Sequence, residues 1–202
     1  MTKIYVAQIT DDIDYSFSIS DYKRLKLDKC KNEKRIKELI QGEKLLIKAL
    51  NDLQIPFSLP LDIEVNEYGK PRLKSSRIEF SISHSKSFLA CAISTNEIGL
   101  DIEEFDEKHE RLKDKVFSEE EKNKFTHSSD ITKIFTIKEA YLKYLGTGLI
   151  LNLNKLNTRY LRSVEGIDVY AIEDAIIINM LFDNLSVSLS SKDDADVYIK
   201  FI

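Results

Sequence analysis

The chain has 202 residues, 43% of them hydrophobic and 32% charged, with a formal net charge of −4. This balance predicts an ordinary globular protein of one large or two small domains, and a net negative chain offers no broad attraction to nucleic acid. No apolar run is long enough to span a bilayer and no basic-then-apolar leader is present, which predicts neither a membrane span nor a signal peptide. The two cysteines, Cys30 and Cys91, stand far apart, which predicts free thiols and a reducing, cytoplasmic setting.

Residues 4–9 predict a first strand, and residues 11–20 are polar and turn-like. Between 22 and 50, Leu25, Leu39, Ile40, Leu46, Ile47 and Leu50 recur at helical spacing and predict one helix. This stretch is densely basic, with Lys23, Arg24, Lys26, Lys29, Lys31, Lys34, Arg35 and Lys37. Interleaved with Asp28, Glu33 and Glu38, the cluster is either a solvated face or an anion site, and Lys23 and Lys26 lie one helical turn apart on one face. Residues 55–61 carry two prolines and read as a loop, and 63–65 as a short extended piece. Asn66-Glu67-Tyr68-Gly69-Lys70-Pro71 is a turn, in which Gly69 supplies positive φ and Pro71 pushes Lys70 extended. Over 77–85, Ile78, Phe80 and Ile82 alternate with Glu79, Ser81 and Ser83, as in a half-buried strand that ends at His84. Residues 88–94 are continuously apolar, predicting a central strand covered on both faces.

Ile98-Gly99-Leu100-Asp101-Ile102-Glu103 predicts the next strand, lying beside 88–94. Residues i and i+2 of a strand share a face, so Asp101 and Glu103 project together while Leu100 and Ile102 turn towards a core. Neighbouring carboxylates repel unless a cation sits between them, and such oxygen ligands suit Mg²⁺ or Mn²⁺. A wet edge strand would show the same pattern. The charged segment after Glu103 carries Phe105, Leu112, Val116 and Phe117, which read either as an apolar docking patch or as a staple for the next helix. Ser118 and Glu121 form a capping box. Residues 131–145 predict a helix capped by Ser129 or Asp130 and ended by Gly146, with Ile131, Ile134, Phe135, Leu142 and Leu145 as its buried stripe. Glu139 and Lys143 share a face at i, i+4, an ordinary surface ion pair unless they face the Asp-x-Glu strand. Residues 149–156, 169–172, 175–182, 185–190 and 197–202 read as strands.

The strand motif, followed by Phe135-Thr136-Ile137-Lys138-Glu139-Ala140-Tyr141-Leu142-Lys143 and Gly146-Thr147-Gly148-Leu149, resembles the 4′-phosphopantetheinyl transferases. The resemblance is to their larger type, which serves peptide, polyketide and related carrier proteins. The family's pattern is (I/V)-G-(I/V)-D-x-E, then W-x-x-K-E-(A/S)-x-x-K and G-x-G-L. Three further stretches resemble its N-x-x-G-K-P (Asn66 to Pro71), F-x-x-S-H-S (Phe80 to Ser85) and F-S-x-x-E (Phe117 to Glu121). Two positions depart: Glu38 stands where R-x-x-x-G has its Arg, and Phe135 replaces the Trp. The resemblance runs from about residue 4 to residue 149.

What it implies is an α+β fold of two similar halves, 1–97 and 98–202, related by pseudo-twofold symmetry, each a small sheet packed on helices, with the active site between them. It implies an enzyme that moves 4′-phosphopantetheine from coenzyme A to a serine of an apo acyl or peptidyl carrier protein. By the resemblance, Asp101, Glu103 and Glu139 would hold Mg²⁺ or Mn²⁺. Lys23, Lys26, Lys70, Pro71, Ser83, His84 and Lys143 would bind coenzyme A, the first two at its 3′-phosphate. Lys143 and His84 would act in catalysis, and either Glu139 or Glu121 would be the general base. A cytoplasmic monomer with no nucleic-acid or membrane partner is expected. Two other classes remain open: a magnesium-dependent enzyme on another nucleotide diphosphate, and a non-catalytic module that binds carrier proteins.

Overall fold

β1 (Thr2–Gln8) buries both of its faces, Ile4 and Val6 to one side and Tyr5 to the other. The computed structural model describes every residue except 13–16, 75, 126, 149, 150 and 195, with residue 128 described without its side chain. The helix predicted over 22–50 is two helices, α1 (Asp21–Leu27) and α2 (Glu33–Asp52). Asn32 makes the division: its side chain accepts the Arg35 N–H at 3.0 Å, an N-cap that opens a new helix.

β2 (Ile63–Val65) and β3 (Pro71–Leu73) pair around the predicted turn at 66–70. β4 (Glu79–His84), β5 (Phe88–Ser94) and β6 (Ile98–Glu104) follow. β5 is largely buried, as its unbroken apolar run predicts. It does not pair with β6, contrary to expectation; the turn between them carries the chain into a second sheet. A buried strand shows the same apolar run whether the next turn closes a hairpin or changes sheet, so pattern alone does not separate the two.

After a 3-10 turn at Glu107–Leu112 come α3 (Lys113–Val116), α4 (Glu119–Lys122) and α5 (Ser128–Leu145). α5 starts earlier than predicted, and Asp130 accepts the His127 N–H from its third position. Its buried side includes Ile137, Ala140 and Tyr141, while Leu145 is exposed. Gly146 ends it with φ +67°. A short 3-10 turn at Leu153–Lys155 stands where a strand is predicted at 149–156, of which 149 and 150 lie outside the described residues. β7 (Arg159–Val164), β8 (Ile167–Ile172), β9 (Ala175–Phe182), β10 (Leu185–Ser191) and β11 (Val197–Phe201) complete the chain. β7 escapes the sequence reading because it is an outer strand with Tyr160 and Val164 exposed, so it lacks an apolar face.

One sheet runs β11-β1-β5-β4 and the other β6-β10-β9-β8-β7. β11 joins β1 in parallel, bringing the last strand into the first sheet. The two sheets share a core in which Ile4, Val6, Ala90 and Ala92 meet Ile98, Leu100, Ile102, Val187 and Leu189. α2 covers the outer face of the first sheet through Leu46, Ala49 and Leu50 on Tyr5, Leu89 and Cys91. α5 covers the second through Ile134, Ile137 and Tyr141 on Tyr170, Ile172 and Ile177. The fold is α+β, two sheets back to back with a long helix outside each. Among the described residues no helix is long and apolar enough to cross a membrane. Cys30 and Cys91 are free thiols.

Candidate active site

The polar face of β4 is not wet. It forms the seam with β6, and serines take the place of backbone pairing there. Ser81 Oγ accepts the Leu100 N–H at 2.9 Å, and Ser85 Oγ accepts the Glu104 N–H and donates to Glu103 Oε2, both at 2.8 Å. Between them, Ser83 Oγ donates to Asp101 Oδ1 at 2.7 Å. Period-two spacing puts the three hydroxyls on one face, where they fix the carboxylates of β6.

α5 lies directly on β6 at Gly99, where no side chain would fit. That approach brings Lys143 to Asp101, with its ammonium donating to Asp101 Oδ1 and Ser83 Oγ at 2.7 Å each. Lys143 therefore pairs across to the strand, and the i, i+4 surface pair with Glu139 is not what the helix builds. Asp101 is only 4% exposed, and its second oxygen is buried without a hydrogen-bond partner among the described residues. Burial and the Asp101 charge push both Glu103 and Glu139 up to about 7, against Ser85 and Lys143 for Glu103 and against Lys143 for Glu139. Among the described residues no three His, Cys, Asp or Glu side chains converge closely enough to hold a metal ion as they stand. An orphaned buried carboxylate oxygen beside two carboxylates that resist ionisation is nonetheless a donor set suited to a hard divalent cation.

These groups line a cleft of about 570 Å³. The same cleft is lined by Lys23 and Lys26 from α1, Arg35, Glu38 and Glu43 from α2 and His84 from β4, with Tyr22 and Tyr68 in its lining as well. Burial lowers Lys23 to about 8. Lys26 lies over the Tyr22 ring, 4.2 Å from its centroid. Glu38, the departure from the family pattern, accepts from Arg35 Nη1 at 2.8 Å, and the same guanidinium contacts His84 Nε2. The guanidinium thus reaches the cleft from one turn earlier in α2. Arg35 and Lys37 of the basic cluster both lie close enough in the chain to substitute for that Arg; the i, i+3 relation to Glu38 picks out Arg35, whereas Lys37 pairs with Asp11. Burial lowers His84 below its ordinary value, with Arg35 and Lys143 adding to the shift and Glu38 opposing it.

Lys70 and Pro71 also line the cleft, but the Lys70 ammonium donates to the Tyr144 carbonyl at 2.8 Å, and Asn66 Nδ2 donates to the Gly146 carbonyl at 3.2 Å. The turn at 66–70 therefore satisfies carbonyls at the C-terminal end of α5.

Glu121 is not brought to the cleft. It completes the predicted capping box with Ser118, accepts from Thr158 N and Oγ1, and pairs with Lys138 Nζ. Lys138 has no exposed surface and also donates to the Val116 and Leu153 carbonyls. Consecutive residues of α5 thus serve opposite sides, since successive side chains on a helix diverge by about 100°: Lys138 points inward and Glu139 to the cleft. Val116 and Phe117 are buried in the core under α5, so of the two readings of these residues the structural one holds and they form no surface docking patch.

The family model of the 4′-phosphopantetheinyl transferase superfamily matches residues 97–178, from the entry to β6 into the first half of β9. The chain is 31% identical over 167 residues to the 4′-phosphopantetheinyl transferase gsp of Aneurinibacillus migulanus, covering 76% of this chain and 70% of that relative. It is 31% identical over 100 residues to the 4′-phosphopantetheinyl transferase Sfp of Bacillus subtilis (strain 168), covering 46% of this chain and 45% of that protein. A third relative, the 4′-phosphopantetheinyl transferase ffp of Bacillus subtilis, is 30% identical over 117 residues, half of its own length.

Proposed function

The chain belongs to the 4′-phosphopantetheinyl transferase superfamily, and we propose that it transfers the 4′-phosphopantetheine arm of coenzyme A to a serine hydroxyl of an apo acyl or peptidyl carrier protein with the help of Mg²⁺. The observation that carries this reading is one cleft lined both by the Asp101, Glu103 and Glu139 carboxylates and by the cations Lys23, Lys26, Arg35 and Lys143. A pyrophosphate with a 3′-phosphorylated nucleotide at one end demands both.

In the proposed reaction the serine oxygen forms a bond to the phosphorus that bears the pantetheine arm. The bond from that phosphorus to the bridging oxygen breaks, and 3′,5′-ADP leaves. Such transfers need positioning and charge neutralisation more than covalent help from the protein. Asp101, Glu103 and Glu139 would hold the divalent cation, which supplies charge neutralisation at the pyrophosphate. Lys143, already over Asp101 and Ser83, donates to the remaining phosphate oxygens. Lys23 and Lys26 take the 3′-phosphate, with Arg35 and His84 beside them. Glu139, which lines the cleft, would take the serine proton, directly or through a water. Residues of both 1–97 and 98–202 line the cleft, which supports the monomer as the proposed working unit.

The test is incubation with coenzyme A, Mg²⁺ and an apo carrier protein, read by intact mass. The expected result is a carrier heavier by one phosphopantetheine arm, dependent on both coenzyme A and the metal. Metal-dependent cleavage of a different nucleotide diphosphate with no carrier modification would favour the broader magnesium-enzyme class. Carrier binding without turnover would leave only a binding module.

A further inference from the structure

α1 has seven residues, and its only buried side chain is that of Lys23; Leu25, its one leucine before the last position, is 62% exposed. A helix this short does not hold itself together in water, and this one has almost no apolar anchor. Its placement comes from a polar chain instead. Glu43 of α2 has no exposed surface and accepts from Ser20 twice, from the backbone N–H at Oε1 and from Oγ at Oε2, both at 2.7 Å. Ser20 is the N-cap of α1, and its Oγ in turn accepts the Lys23 N–H at 3.3 Å. Gly42 lies under the lysine: a Cβ there would be 4.0 Å from Lys23 Nζ. The Lys23 ammonium, which lines the cleft, has no hydrogen-bond partner among the described residues, while the Glu43 charge favours its protonated form.

We propose that Glu43 is a positioning residue for phosphate recognition: through Ser20 it fixes Lys23 over Gly42 with the ammonium free for the ligand. The inference rests on the reading that Lys23 takes the 3′-phosphate of coenzyme A. Glu43 touches no ligand. It supplies the tether of α1 and a buried counter-charge, and both act through Lys23.

The measurement is the ratio of dissociation constants for 3′-dephospho-coenzyme A and coenzyme A, which isolates the 3′-phosphate. Lys23→Ala should lower this ratio about tenfold, as for one lost charge-assisted hydrogen bond. Glu43→Gln and Ser20→Ala should each lower it by roughly three- to tenfold, whereas Ser20→Thr, which keeps the hydroxyl, should retain it. In Lys23→Ala/Glu43→Gln the ratio should fall no further than in Lys23→Ala alone. A purely structural Glu43 would shift the melting temperature of Glu43→Gln and leave the ratio intact. That outcome, with Lys23→Ala still effective, overturns the inference and spares the reading of Lys23. An unchanged ratio in Lys23→Ala overturns both. Should Glu43→Gln fail to fold, the Ser20→Ala and Ser20→Thr pair gives the same decision.

Discussion

Gly99 and Ala140 meet backbone to backbone: a Cβ on Gly99 would lie 2.1 Å from the Ala140 carbonyl oxygen and 2.2 Å from the Tyr144 nitrogen. Both obstacles are main-chain atoms of α5, which cannot move aside as a side chain would. The close approach decides how far Glu139 and Lys143, on the same helix, stand from Asp101. Gly99→Ala should therefore lift α5 from β6. The expected result is a loss of about 1–3 kcal/mol of stability, the usual cost of overpacking, and a loss of turnover in the fraction that remains folded. Thermal unfolding together with activity per folded molecule checks this, and unchanged activity would contradict it.

Asp101 tests the carboxylate set. Its oxygens are not on a wet face as the strand pattern suggested, so Asp101→Ala would remove a buried partner from Lys143 and Ser83 and confuse stability with function. Asp101→Asn is the cleaner change. Wild type should be stabilised by Mg²⁺ with coenzyme A, by about 2.7 kcal/mol at a hundredfold excess over the dissociation constant. Asp101→Asn should show no Mg²⁺-dependent increment and no transfer. A variant that still gains stability from Mg²⁺ would remove Asp101 from the cation site.

The two candidate bases, Glu139 and Glu121, separate by their surroundings. Glu121 forms a buried pair with Lys138, and removing one partner of such a pair strands the other's charge. Glu121→Gln should cost about 3 kcal/mol or more, yet its folded molecules should keep most of their turnover. Glu139→Gln should fold about as well as wild type and lose turnover. Denaturant unfolding and single-turnover rates on the same samples give the comparison; the reverse pattern would return the base to Glu121.

Lys23 sets a pH dependence. Burial lowers it from 10.5 to about 8, with Glu43 partly opposing. Only the charged form holds a phosphate tightly, so the advantage of coenzyme A over its 3′-dephospho form should be level below about pH 8 and shrink above it. The stability of the free protein moves the other way. Between about 8 and 10.5 the unfolded chain binds the proton that folded Lys23 does not, so stability rises with pH through that window. Isothermal titration of both ligands from pH 7 to pH 9.5 checks the first effect, and Lys23→Met should abolish it.

The chemistry was legible in the chain because its carriers are local. The i, i+2 spacing of Asp101 and Glu103 in β6 fixes their common direction whatever the strand packs on, and the i, i+4 spacing does the same for Glu139 and Lys143. The capping box at Ser118 and Glu121 is likewise a matter of one turn of chain. Patterns with a helical or two-residue period therefore revealed the long helices and most strands, while the family came from the resemblance of local motifs. They failed where an element has no apolar face, as in β7, or where a short polar capping signal interrupts a helical pattern, as at Asn32.

What only the tertiary structure decided is which groups face one another. Whether β6 pairs with β5 or changes sheet depends on the core that the two sheets share, and no residue near the turn encodes it. Glu121 and Lys138 are 17 positions apart in the chain, and only the fold shows that the candidate base is buried against this lysine. That Lys70, expected at coenzyme A, also donates to the Tyr144 carbonyl at the end of α5 is visible only once the helix is placed. Arg35 becomes the guanidinium of the cleft only because Glu38 and His84 hold it there. Local geometry is set by the covalent chain over a few residues; a site across a cleft is set by which faces must be buried together, and that is a property of the whole fold.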